Sequence, residues 1–190
     1  MIVIGTVGLN GSGKDTLIQY LHQRCGIPML SMGDLVREIA ARRGIPPTRP
    51  NLHMLSQQAI EQHGADFFAK KLIARIEEAP WEVVGITGIR TPADVSAFSS
   101  HFGDDFILVH VRVSNPRTRF ERVQRRDEAR DPQSYERFLR QDREEREMFD
   151  IEGAAEKADI AIDNEGSLHD FYSEIEAQVF EQVLGDSEQD

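Results

Sequence analysis

Apolar positions along the chain follow two alternating rhythms. Residues 2–7 form a short run rich in β-branched side chains (Ile2, Val3, Ile4, Val7), a glycine-rich stretch occupies 8–13, and Thr16, Leu17, Tyr20 and Leu21 then recur at helical spacing. This predicts strand, glycine loop, helix. Residues 28–31 predict a second short strand, and Leu35, Val36 and Ile39 predict a helix that Asp34 would begin and Gly44 would end. Pro46, Pro47 and Pro50 punctuate a turn before helical stretches over about 51–63 and 66–78, divided by Gly64. Further strands are predicted over 82–87, 106–113 and 158–163, each followed by a helical segment. Strand alternating with helix predicts an α/β fold, a three-layer α/β/α sandwich with about five parallel strands, whose ligands gather beyond the carboxyl ends of the strands.

The 190 residues suit a single domain spanning the chain. Within it, about 32–79 is expected to be an inserted helical region and about 117–148 an arginine- and glutamate-rich arm, while 185–190 reads as an acidic tail. No apolar run approaches the roughly 18–20 residues of a membrane helix. The first residues carry no basic leader, so a cytoplasmic location and no membrane partner are expected. The lone Cys25 can make no internal disulfide and is expected to be buried filler. No pair of the six histidines has metal-ligand spacing, and they are expected at the surface or satisfied in the core. A formal net charge of −11 repels nucleic acid, so none is expected as a partner. Positive charge rests mainly on arginine, whose planar fork suits phosphate.

The chemistry begins at Gly8-Leu9-Asn10-Gly11-Ser12-Gly13-Lys14, which has the spacing glycine, four residues, glycine, lysine between a strand and a helix. Backbone N–H groups of such a loop, aided by the helix N-terminus, wrap a polyphosphate while Lys14 reaches its outer phosphates. A nucleoside triphosphate, ATP, is the expected ligand, with Gly8, Asn10, Gly11, Ser12, Gly13, Lys14, Asp15 and Thr16 around it. The loop departs from the general pattern at Asp15, where a hydroxyl residue normally touches Mg²⁺; the hydroxyl comes next, at Thr16, which is the expected metal contact. Asp15 is either a first-turn acid facing solvent or the holder of a metal-bound water.

With these residues, Ser31-Met32-Gly33-Asp34-Leu35-Val36-Arg37 and Thr87-Gly88-Ile89-Arg90, the chain resembles the P-loop nucleotide kinases of the adenylate kinase and dephospho-CoA kinase-like group, and most of all an archaeal kinase-like family related to both. The resemblance covers nearly the whole length. It implies that Arg37 and Arg90 grip the phosphate of a small-molecule acceptor, that the inserted helices shape the acceptor pocket, and that Asn164 and Gly166 contact the adenine. It also implies that the arginines from 117 onward form a lid over the triphosphate, with Arg122 and Arg126 assisting transfer and Arg140 and Arg143 as further partners. Arg122, Arg125 and Arg126 share one helical face; the other reading of this segment is a salt-bridged surface pair with Glu121, Glu136, Glu144 and Glu145. Thr87 departs from the group, standing where an aspartate usually ends the third strand. Asp34 is then either a catalytic or metal-ordering carboxylate, or a helix N-cap.

The expected activity is ATP- and Mg²⁺-dependent phosphoryl transfer to a nucleotide-like small molecule, a reaction that asks for positioning and charge neutralisation by groups such as Lys14, Arg122 and Arg126. A nucleotide-hydrolysing switch and a non-catalytic nucleotide sensor are the alternatives.

Overall fold

All five predicted strands form, and they lie parallel in a single sheet. The computed structural model describes residues 1–126 and 131–185; part of the expected arm, 127–130, and nearly all of the expected tail, 186–190, lie outside the described residues. The first half runs β1 (Ile2–Val7), α1 (Lys14–Cys25), β2 (Met29–Ser31), α2 (Met32–Arg42), α3 (Arg49–His63), α4 (Phe67–Glu77) and β3 (Val83–Ile89). The second runs α5 (Pro92–Phe102), β4 (Phe106–Arg112), α6 (Pro116–Arg126), α7 (Tyr135–Phe149), α8 (Ile151–Ala155), β5 (Ile160–Asp163) and α9 (Leu168–Ile175), which continues as a wider helical turn over Glu176–Leu184. The strand order is β2-β3-β1-β4-β5.

The sheet sorts side chains by parity. Val3 and Val7 of β1 and Phe106 and Leu108 of β4 join one buried cluster with α2, α3, α4, α5 and α8, whereas Ile4, Val109 and Val111 join a second cluster with α1 and α9. Because helices cover both faces, the central strands read as unbroken apolar runs rather than alternating ones. The edge strand β5 alternates, with Ile162 buried and Ala161 and Asp163 exposed. Among the described residues no helix is long and apolar enough to cross a membrane.

Local expectations fail where capping chemistry or a helix end decides. Helix α2 starts at Met32 with Ser31 as its N-cap, so Asp34 lies in the first turn and does not cap. Cys25 is exposed, not buried, because it falls on the solvent side of the last turn of α1, just before the left-handed Gly26 that ends the helix. Its thiol donates to the Leu21 carbonyl.

Candidate functional site

At the carboxyl ends of the strands the loops enclose a cleft of about 970 Å³ that runs from the inserted helices α2 and α3, past the glycine loop, to α6 and the segment after β5. Asn10, Gly11, Gly13, Lys14, Asp15 and Thr16 line its centre. Gly8 and Ser12 lie behind this surface, and Ser12 is buried with its hydroxyl unpartnered. Two glycines hold the loop in shape. Gly11 and Gly13 have φ of 82° and 103°, in the left-handed region that side chains resist. A Cβ at Gly11 would stand 2.5 Å from the Arg119 carbonyl oxygen, and one at Gly13 would collide with the Asn164 amide. The same Asn164 donates to the Ser12 carbonyl at 2.8 Å, which ties the end of β5 to the loop.

Lys14 opens α1 and is nearly enclosed, with 8% of its surface exposed. Burial lowers the ammonium's pKa, and the neighbouring Asp15 and Glu145 work in the opposite direction. Asp15 stands at the cleft wall, its side chain 57% exposed and 3.9 Å from the Lys14 Nζ. Enclosure by protein opposes its ionisation, but Lys14, the facing Thr87 hydroxyl, Arg126 and Arg90 outweigh that and hold the carboxyl below its usual range. Asp15 therefore stands on the cleft wall near the end of β3 with its carboxyl open to solvent. The strand-end position that Thr87 fills without a charge has a carboxylate beside it, supplied by α1.

The arginines of α6 divide into two kinds. Arg122, Arg125 and Arg126 line the cleft. Arg122 reaches the Asn164 side chain at 3.4 Å and the Gly166 carbonyl at 3.5 Å, its second terminal nitrogen is buried without a partner, and burial lowers its pKa. Arg126 forks onto Asp131 at 2.6 and 3.0 Å and touches the Asn10 side chain at 3.5 Å. Arg119, by contrast, is fully buried and forks onto Asp142 of α7 at 2.5 and 2.9 Å while bonding the Asn10 carbonyl at 3.2 Å. It is a tether between the arm and the phosphate loop. Arg140 and Arg143 are exposed and do not line the cleft.

At the other end Arg37 and Arg90 line the cleft, but Asp34 does not. Its carboxylate is exposed and takes two bonds from Arg37, at 2.5 and 3.0 Å, because residues three apart on α2 share a face. Arg49, His53 and Glu145 line the same end and had no site role in the sequence reading, which placed Glu145 in a surface ion-pair set and His53 among histidines at the surface or satisfied in the core. Burial lowers the pKa of His53. Burial opposes ionisation of Glu145, yet Arg90, Arg49, Lys14 and His53 hold its carboxyl below the usual range. The signal for Glu145 was present in α7: Phe138, Asp142, Glu145 and Phe149 fall at helical spacing on one stripe, and all four are buried. Arg49 carried no such signal, since it reads as part of a proline-punctuated turn.

Comparison with known proteins agrees with this geometry. The AAA domain family matches residues 7–139. The UPF0200 protein of Hyperthermus butylicus is 36% identical over 173 residues, covering 91% of this chain and 90% of that protein. The UPF0200/UPF0201 protein of Archaeoglobus fulgidus is 40% identical over 177 residues; the chain spans only 54% of its length. Among solved structures, shikimate kinase from Acinetobacter baumannii in complex with shikimate superposes with a TM-score of 0.57 at 18% identity, covering all of this chain and 96% of that one. A gluconokinase from Sinorhizobium meliloti 1021 gives 0.55 at 18% identity, over 93% and 90% of the two chains. The fold is that of P-loop kinases.

Proposed function

The chain belongs to the UPF0200 family and carries an AAA domain, and from that premise we propose that it transfers the terminal phosphoryl group of ATP to a nucleotide-like small molecule bearing a phosphate. One observation carries this: a single cleft has the glycine loop with Lys14 at its centre, Asn164 and Gly166 at one end, and Arg37 and Arg90 at the other. Donor and acceptor bound there meet beside Lys14. The residues fit a Mg²⁺ ion that arrives on the nucleotide. Thr16, Asp15 and Thr87 offer oxygen donors on the cleft wall, and among the described residues no cluster of three or more acidic, histidine or cysteine side chains forms a metal cage of its own. When bound, Mg²⁺ neutralises charge on the outer phosphates.

In this reading Lys14 binds the outer phosphates, Arg122 and Arg126 close over the transferred group, and Asp15 orients the water shell that Thr87 cannot. A phosphate acceptor is already ionised and needs no base, whereas a hydroxyl acceptor such as that of dephospho-CoA asks for one. Among the described residues lining the cleft, the buried Glu145 is held ionised by cations, which makes it a poor proton acceptor and accords with the phosphate case. The similarity to shikimate kinase and gluconokinase supports phosphoryl transfer as the reaction class and leaves the acceptor to be named by experiment. Coupled turnover with a panel of nucleoside monophosphates and dephospho-CoA is the test; ATP consumption dependent on one of them is expected. Acceptor-independent hydrolysis stimulated by a protein would instead favour the nucleotide-switch reading.

A further inference from the structure

The carboxylates of the arm are held in two different ways. Asp142 and Asp131 each receive two close donors of one guanidinium, from Arg119 at 2.5 and 2.9 Å and from Arg126 at 2.6 and 3.0 Å, with a second arginine farther off, Arg146 at 3.4 Å from Asp142 and Arg49 at 3.8 Å from Asp131. Glu145, one turn beyond Asp142 on the same buried stripe, is shared instead: Oε1 stands 3.3 Å from Arg90 Nη2 and Oε2 stands 3.9 Å from Arg49 Nη1. These are ion contacts too long for strong hydrogen bonds. Arg90 has a second hold, its guanidinium lying 5.0 Å from the centre of the Phe149 ring, so its position does not depend on Glu145 alone.

Two oxygens of one anion, each turned to a different arginine inside the cleft, are the arrangement a phosphate ester would present. Granting the two-ended cleft proposed above, we propose that Glu145 is the internal counter-anion of the acceptor subsite, held between Arg49 and Arg90 in the free protein and replaced there by an oxyanion of the acceptor. Arg49 thereby joins the acceptor-binding residues, and Glu145 is a positioning residue that acts through the two arginines. Because the carboxylate and the incoming oxyanion compete for the same cations, the native glutamate weakens anion binding. Its departure also couples the arrival of acceptor to movement of α7.

The probe is inorganic sulfate, titrated by calorimetry against protein saturated with a non-hydrolysable ATP analogue and, separately, against Lys14→Ala, so that the phosphate loop does not supply the signal. Glu145→Gln is expected to bind sulfate at least threefold more tightly than the native protein, Glu145→Asp, which keeps the charge, within twofold of it, and Arg49→Ala and Arg90→Ala at least fivefold more weakly. A purely packing role would make Gln and Asp alike. Unchanged or weaker sulfate binding by a folded Glu145→Gln, or no sulfate binding in any protein, overturns the proposal. Should Glu145→Gln fail to fold, hydrogen exchange of the native protein decides: saturating sulfate is expected to speed exchange in α7 relative to chloride, and unaltered exchange overturns the proposal. Failure of the ATP analogue to bind is a separate result that sinks the kinase reading while leaving the Lys14→Ala titration interpretable.

Discussion

The phosphate loop and the α6–α7 arm present cations to the same cleft and are built on opposite principles. The loop relies on backbone shape, with left-handed glycines and one enclosed lysine. Its parts are neighbours in the chain. The arm relies on side-chain charge, with Arg119 answered by Asp142 and Arg126 by Asp131 within it, and its Glu145 answering Arg90 from beyond β3, while Arg122 meets the polar groups of Asn164 and Gly166. A loop of the first kind is stiff because its conformation costs energy to change; an arm of the second kind is stiff only where the pair is buried and two-pronged, and exchangeable where it is not.

The comparison can be broken most severely at Lys14. Lys14→Ala is expected to lower turnover by about 10³-fold, since no other described cation occupies the centre of the loop, and steady-state kinetics would show whether a lid arginine can substitute. Arg119→Ala comes next. It leaves Asp142 buried without its fork and is expected to cost about 3–5 kcal/mol in urea denaturation, whereas Arg119→Met with Asp142→Leu should cost much less. A loss below about 1 kcal/mol for the single change would mean that the tether is not structural.

Arg37→Ala is expected to raise the acceptor KM about tenfold with little change in nucleotide affinity, the mark of a lost ground-state contact at one end of the cleft. Equal weakening of nucleotide binding would overturn its assignment to the acceptor.

Acid should discriminate between the buried and the solvent-facing carboxylates. Glu145 has a folded-state pKa below its ordinary 4.5, so its contribution to stability is complete above about that pH and is lost as the pH falls through the lowered value. The stability difference between the native protein and Glu145→Gln should therefore shrink on acidification below about pH 4.5. A difference that stays constant would show that the amide preserves whatever the carboxylate does. The smallest effect is expected at Asp34: its exposed pair with Arg37 is worth at most about 1 kcal/mol, so Asp34→Ala should alter turnover less than threefold. A loss of a hundredfold would restore Asp34 as a catalytic carboxylate and require α2 to turn toward the cleft.

The parallel sheet, the loop with Lys14 and the inserted helices were all legible in the chain, because apolar periodicity and glycine spacing report contacts within about ten residues of one another. The N-cap of α2 was misplaced for a local reason: Ser31 and Asp34 are both good capping residues, and helix ends are set by which one the preceding strand leaves in extended conformation. The cleft-lining arginines Arg37, Arg90, Arg122 and Arg126 were named from the sequence, but which arginines are sealed into the structure was not legible. Arg119 and Arg122 sit three apart on one helix with the same chemistry, yet one is sealed against Asp142 and the other lines the cleft beside Asn164.

What the amino-acid order by itself determined is thus the layer architecture and the glycine loop that ends in Lys14, both written in short-range pattern. Only the tertiary structure decided which charges are structural and which are available to a ligand. A charged side chain's role depends on the partner and the dielectric that folding brings to it, and Asp142 and Glu145 reach their arginines from a separate helix.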